Sequence, residues 1–339
     1  MREIGLSTSA RVKRPANRDD AKVATRTLTR TRDAALRRVL DQIAALGLQD
    51  NLIELEAQGY TVLSAVLSKS TIARAKDAIL RRVERTTGRA IDPASATTAD
   101  LNGMQYIPYL LYDDPVFEEI LMEPAPLALV TYLLGESCLL SSMGCHFRGP
   151  GGAPLMLHSD NGGNGMPAPY SDISMVANVN YALTPYSREA GALAMIPGSH
   201  RLRRQPTAQE NFTAPSLTAA DIAARASVAG GGDVEWKDPP GAVTMEINPG
   251  DAVIWHGNTW HGGYRREMNG VRINLAAYFN RQFVRTQERH GDPAHQPVLD
   301  RHANDPRFAV LLGAKQAYGW REEGPNYAVM GQAPRGHYD

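Results

Sequence analysis

After Gly135 the chain breaks into short runs of strand-forming residues separated by Gly, Pro and Asn, and this texture constrains its fold more than any other feature. The runs are Cys138–Arg148, Ala153–His158, Ile173–Leu183, Ala192–Ile196, Val243–Ile247, Ala252–His256 and Val271–Phe279. β-Branched and aromatic residues fit a pleated, half-buried surface, while Gly, Pro and Asn supply the turns. Many short strands of this kind build a β-sandwich or barrel. The N-terminal part reads differently. Leu36, Val39, Leu40, Ile43 and Leu46 fall on one helical face ahead of Gly47, where a C-terminal cap belongs. A short strand is expected at Tyr60-Thr61-Val62-Leu63. Ser70 then opens a second helix with Ile72, Ala75, Ile79, Leu80 and Val83 as its buried stripe and Gly88 beyond its end. Further helix is expected at Val116–Met122 and Ala125–Leu134.

The domain organisation follows from these textures. Residues 1–30, rich in Arg, Lys, Thr and Ser without apolar periodicity, read as a mobile arm. Residues 31–339 read as one domain: a helical part over 31–135, a barrel over 136–285 and a C-terminal segment over 286–339, with helix expected from Pro306 to Ala317. Residues 201–242 interrupt the strands with polar, Gly-rich sequence that includes Gly230-Gly231-Gly232. An insertion of that length between core strands is expected to border a site, and few apolar anchors make it a mobile lid.

Composition narrows the function. With 339 residues, 43% of them hydrophobic, the chain can bury a large core. Lys+Arg and Asp+Glu are both 36, so no basic excess argues for nucleic acid, and no basic amphipathic helix argues for a membrane surface. The start Met1-Arg2-Glu3-Ile4 lacks an apolar signal region, and no run approaches about 18 apolar residues. A cytoplasmic protein is expected. Two cysteines, Cys138 and Cys145, are too few for a disulfide framework and lack companions at zinc-site spacing.

His158-Ser159-Asp160 carries the chemistry. Two residues of separation in a strand put the imidazole and the carboxylate on one face. A distant second His completes the 2-His-1-carboxylate triad of non-haem Fe(II) oxygenases, which leaves one side of the metal open. His256 and His261 both qualify; His261 is followed by Gly262-Gly263, which permits close backbone approach. Eleven residues beyond His261 stands Arg272, of the type that clamps a carboxylate bidentately. Asn178 and Asn180 share a strand face directed to the barrel interior. Arg148 and His146 precede the His-x-Asp loop, within reach of a co-substrate. Tyr106, Trp255 and Trp260 are candidates for a substrate wall.

These residues, together with Gly191-Ala192-Leu193, Ile196-Pro197-Gly198-Ser199-His200, Pro249-Gly250-Asp251 and the opening Glu56-Ala57-Gln58-Gly59-Tyr60-Thr61-Val62-Leu63, resemble the phytanoyl-CoA dioxygenase family of Fe(II)/2-oxoglutarate-dependent oxygenases over about residues 50–285. The resemblance implies a mainly β fold with flanking helices, a double-stranded β-helix (a jelly-roll, cupin-like barrel) wrapped by N-terminal helices. It implies His158, Asp160 and His261 as iron ligands, with Arg272 on the far carboxylate of 2-oxoglutarate. Asn180, where many relatives carry a large apolar residue, and Arg148 are further co-substrate candidates, and Asn178 is a substrate candidate. His200 belongs to a structural turn. Related halogenases replace the carboxylate ligand, so Asp160 places the chain with the oxygenating branch. The implied reaction consumes 2-oxoglutarate and O2, releases succinate and CO2, and oxidises a C–H bond of a small molecule of specialised metabolism, with hydroxylation the default. A cupin-like metalloenzyme without 2-oxoglutarate, which has no use for Arg272, and a non-catalytic binding protein are the alternatives. Asn269-Gly270 signals a hairpin. Fully paired flanks would leave Arg272 six positions from His261, roughly 20 Å at about 3.3 Å per residue. A wider loop over Arg265–Gly270, or a bend near Gly262-Gly263, is therefore expected to bring Arg272 towards the metal.

Overall fold

Ala35, Val39 and Ile43 form the buried stripe of the first helix, α1 (residues 35–45), in a computed structural model that describes residues 35–218, 220–222 and 234–314 and, beyond them, 320, 321, 324, 325 and 327. The expected arm at 1–30 and the glycine run at 230–232 lie outside the described residues. Leu40 and Leu46, expected on that stripe, are exposed instead. A second helix, α2 (Gln49–Gln58), follows and runs directly into β1 (Tyr60–Leu63). In α3 (Lys69–Thr87), Ala75, Ala78, Ile79 and Val83 are buried, and Gly88 closes the helix in the left-handed conformation. Its cap is Ser68 rather than Ser70: the Ser68 hydroxyl accepts from the Thr71 N–H at 3.1 Å. Helices α4 (Pro115–Leu121) and α5 (Pro124–Leu134) complete the helical layer.

The barrel strands are β3 (Leu139–Arg148), β4 (Leu155–His158), β5 (Val176–Ala182), β6 (Leu193–Met195), β7 (Val243–Thr244), β8 (Ala252–His256), β9 (His261–Gly263) and β10 (Arg272–Asn280). With β2 (Tyr106–Ile107) and β1 at its edges, one sheet runs β1-β8-β5-β10-β3-β2; the other runs β4-β9-β6-β7. Their pairings are antiparallel. From β3 onward the chain switches sheet at every step except β6 to β7, which winds it into a double-stranded β-helix.

Strand parity sorts the side chains. On β10, Ile273, Leu275, Ala277 and Phe279 join Met143, Cys145 and Phe147 of β3 and Val179 and Tyr181 of β5 in the core against the helices. Each larger apolar side chain contributes about 1.5–3 kcal/mol when fully buried. That outer face suffices to hold the sheet on its helices. The inner face, with Arg272, Asn274, Ala276 and Tyr278, is left free to be polar.

The hairpin signal at Asn269-Gly270 resolves as a crossover. β9 and β10 belong to different sheets, so no fully paired hairpin joins them. The Arg266 guanidinium stitches the wide connection, donating to the carbonyls of Gly270 at 2.8 Å, Asn269 at 2.6 Å and Ala190 at 3.1 Å. The described part of the 201–242 segment is also anchored, contrary to the expectation of few apolar contacts. Phe212 is buried against Leu157, Ala194 and Tyr264, and the Asn211 amide spans Leu157, accepting from its N–H at 2.8 Å and donating to its carbonyl at 2.9 Å.

Candidate active site

His158 ends β4 directly opposite His261, which opens β9. Their rings lie 4.3 Å apart. Such proximity needs the strands to touch at Gly262, where a Cβ would fall 2.4 Å from the Leu155 carbonyl oxygen. Asp160 is not in the strand, as parity suggested, but starts the short helical turn Asp160–Gly163. That turn still swings the carboxylate to the histidines: Asp160 Oδ1 lies 3.9 Å from His158 Nε2 and 3.7 Å from His261 Nε2. One ligand atom from each of the three lies within 4.8 Å of the others.

Hydrogen bonds fix the orientation of all three. His158 Nδ1 bonds the Met156 carbonyl at 2.9 Å and His261 Nδ1 bonds the Thr259 carbonyl at 3.0 Å. A proton on each Nδ1 leaves the Nε2 lone pairs facing one another's neighbourhood, as a metal requires. Burial pushes the His261 imidazole down to about 4, keeping it neutral. Asp160 Oδ2 accepts from Trp255 Nε1 at 3.0 Å and from Asn178 Nδ2 at 3.2 Å, so Oδ1 is the oxygen presented to the histidines. Ser159, between the two side chains, is clamped by Gln205, which accepts from its N–H at 2.9 Å and donates to its carbonyl at 2.8 Å. Neither Gln205 nor Asn211 was singled out from sequence. His256 points away: its Nε2 bonds the Asp172 carbonyl at 3.3 Å and its Nδ1 accepts from the Asn258 N–H at 3.0 Å.

The three side chains open into a cavity of about 570 Å³ between the sheets, which Tyr106, Asn178, Asn180, Trp255, Arg148 and Arg272 also line. Trp260 is not part of this lining. It is buried elsewhere, donating from Nε1 to the Arg204 carbonyl at 2.7 Å beneath the Arg204 guanidinium. Arg272 begins β10 pointing inward, 4.8 Å above the Tyr186 ring, and donates to the Gly191 carbonyl and, at 3.1 Å, to Asn274 Oδ1. Its Nε is buried without a partner among the described residues. Arg148 is its cross-strand neighbour. Burial and then the charge of Arg272 hold the Arg148 guanidinium down to about 10. Neither arginine has an acidic partner among the described residues. Two enclosed cations with an unfilled donor fit a bound carboxylate. His146 is exposed to the cavity, and the protein packed around it, followed by the nearby Arg272 charge, lowers its imidazole from the ordinary range.

A double-stranded β-helix that gathers two histidines and one carboxylate beside an open cavity is the architecture of a non-haem Fe(II) oxygenase. The profile of the phytanoyl-CoA dioxygenase (PhyH) family matches residues 55–273, and the chain belongs to that family of Fe(II)- and 2-oxoglutarate-dependent enzymes. It is 29% identical over 251 residues to Dioxygenase af480 of Aspergillus fumigatus, covering 71% of this chain and 69% of that protein. Among solved structures it is similar to EctD from S. alaskensis (20% identity, TM-score 0.49, 71% of this chain and 79% of that one). It is also similar to HygX from Streptomyces hygroscopicus with nickel, 2-oxoglutarate and hygromycin B bound (17% identity, TM-score 0.49, 70% and 89%). No helix among the described residues is long and apolar enough to cross a membrane.

Proposed function

We propose that this enzyme oxidises an unactivated C–H bond of a small molecule, most simply by hydroxylation, with 2-oxoglutarate and O2 converted to succinate and CO2. The observation that carries the reading is the joint presence, in one cavity, of the three-ligand cluster and an inward Arg272. His158, Asp160 and His261 would hold iron, and Arg272 would hold the far carboxylate of 2-oxoglutarate, with Arg148 and Asn180 beside it. Bound iron would supply the activation of dioxygen. The chain's own part is positioning: the Nδ1 bonds aim the imidazoles, Trp255 and Asn178 aim the carboxylate, and the arginines set the direction in which the co-substrate lies. A metalloenzyme without 2-oxoglutarate gives no reason for a buried Arg272 and a half-buried Arg148 that face the cavity with no acidic partner among the described residues, which favours the oxygenase reading. The test is succinate release from the purified protein with Fe(II), 2-oxoglutarate and oxygen. Release that depends on all three supports the reading, and its absence with iron demonstrably bound overturns it.

A further inference from the structure

Among the aromatic side chains that line the cavity, Trp255 stands apart in its contact with the three-ligand cluster. Its Nε1 donates to Asp160 Oδ2 at 3.0 Å, and its ring centroid lies 4.7 Å from that of His261. It therefore touches two of the three side chains whose ligand atoms lie within 4.8 Å of one another. The tyrosines of the cavity are further removed. Tyr278 meets the Asp160 turn through Asn164, which donates to the tyrosine hydroxyl at 2.7 Å and to the Asp160 carbonyl at 2.9 Å. Trp255 pairs with Asn178 on β5, and Asn178 pairs with Tyr278 on β10, so the backbones of tryptophan and tyrosine are two strand spacings apart, about 10 Å. Tyr106 packs on His146 instead, with ring centroids 4.6 Å apart, on the edge strand β2.

Position and chemistry together make this ring a target for oxidation. The indole is the most electron-rich of the aromatic side chains, and its hydrogen bond to a carboxylate pushes further density onto the ring. The ring is also held in place. Trp255 is 1% exposed and packs in one cluster with Tyr60, Leu193 and Met195, so it cannot swing away from the ligands. A group fixed beside a reacting centre gains the advantage of an intramolecular reactant. An oxidant able to attack an unactivated C–H bond, formed with no substrate in the cavity, meets this ring first.

We infer that Trp255 is a self-modification site: supplied with 2-oxoglutarate and dioxygen but no substrate, the enzyme inserts one oxygen atom into a ring C–H bond of its own Trp255. The inference rests on the oxygenase reading above. Its stoichiometry closes. Dioxygen takes two electrons from 2-oxoglutarate, which loses CO2 and becomes succinate, and two from the indole C–H bond. One oxygen atom enters the new succinate carboxylate. The other enters between the ring carbon and its hydrogen, leaving a hydroxyl on the ring. The indole N–H is not consumed, so Asp160 keeps its donor.

The test incubates the full chain with Fe(II), 2-oxoglutarate and isotopically labelled dioxygen, without substrate, and sequences the tryptic peptide Asp238–Arg265 by mass spectrometry. That peptide carries Trp255 and Trp260 together. Trp260, buried away from the cavity on the Arg204 carbonyl at 2.7 Å, is the internal control. Met268, 43% exposed, reports any oxidant that diffuses free in solution. Labelled oxygen is expected on Trp255 at about tenfold or more over either control, and it should vanish when 2-oxoglutarate is left out. Label spread evenly over Trp255, Trp260 and Met268 overturns the assignment. So does label on Tyr278 or Tyr106 in place of Trp255, or label on Trp255 that persists without 2-oxoglutarate. Succinate is measured in the same samples, which separates this inference from the reading it rests on. Succinate release with an unlabelled Trp255 overturns the self-modification alone. Bound iron with neither succinate nor label overturns the oxygenase reading and this site with it.

Discussion

Asp160 divides its carboxylate between two tasks: Oδ1 faces the two histidines, and Oδ2 accepts from the Trp255 indole N–H at 3.0 Å. Under the proposed iron site, Trp255 would orient a ligand as well as line the cavity. Trp255→Phe keeps an aromatic ring and removes the donor, leaving Oδ2 only Asn178 at 3.2 Å. Loss of such an outer bond costs about 10–100-fold in metal affinity. Fe(II) titration of wild type and variant checks this, and an unchanged dissociation constant would show that the indole only packs.

The two candidate histidines separate cleanly. His261→Ala removes a nitrogen of the proposed ligand set and is expected to abolish iron binding and turnover, as is Asp160→Ala. His256 uses its ring nitrogens on Asp172 and Asn258. His256→Ala is therefore expected to lose stability while still binding iron stoichiometrically at low temperature. Iron content measured after gel filtration decides the matter; an iron-free His256 variant with native circular dichroism would contradict the assignment.

Arg272→Leu is expected to raise the 2-oxoglutarate requirement by at least tenfold. It removes a charged hydrogen-bond donor from a buried site, a loss of about 1.5–3 kcal/mol. Iron affinity should change little, because the guanidinium bonds Gly191 and Asn274 and not the ligands. The two titrations together form the check: a parallel loss of iron binding would mean that Arg272 supports the fold of the site instead.

Much of this was legible in the sequence because strand parity is local. Once β10 is a strand, Arg272, Asn274, Ala276 and Tyr278 must share a face, and residues such as Ile273 and Leu275 must take the other. What escaped was non-local. β9 is His261-Gly262-Gly263, and two glycines argue against a strand until β4 and β6 pair with it. Helix α2 buries only Leu55 and so carries no apolar stripe to detect. Gln205 meets Ser159 across 46 residues, and Asn211 meets Leu157 across 54. Nothing in a polar segment announces such contacts. Trp260 was misplaced because aromatic character alone does not say which side of a sheet crossing a ring will fill.

The Gln205 clamp gives a fourth prediction. Its amide holds both backbone groups of the residue between His158 and Asp160, and Gln205→Leu leaves the Ser159 N–H and carbonyl without those partners. The expected outcome is weaker iron binding by about tenfold, since loosening Ser159 costs alignment of the two neighbouring ligands. Hydrogen exchange at the Ser159 amide should rise in parallel. Unchanged protection there would mean that the Ser159 hydroxyl on Gly257 and the backbone bonds of the turn hold it without Gln205.

Glu288 sets the last prediction, away from the metal. It is buried and accepts the N–H groups of Tyr109 at 2.6 Å and Met143 at 3.2 Å, yet burial outweighs those bonds and pushes its carboxyl up to about 7. An acid with a raised folded-state pKa binds its proton more tightly in the native chain than in the unfolded one. Its contribution to stability is therefore fully present below about pH 4.5 and is lost as pH rises through about 7. The span corresponds to roughly 3 kcal/mol. Glu288→Gln keeps a carbonyl acceptor and cannot ionise. Relative to wild type it is expected to gain stability at pH 8 and to lose that advantage at pH 5. Urea unfolding of both proteins at the two pH values checks the sign. An advantage for the variant that is constant across pH would show that Glu288 is ionised throughout, held by the two backbone donors rather than neutralised by burial.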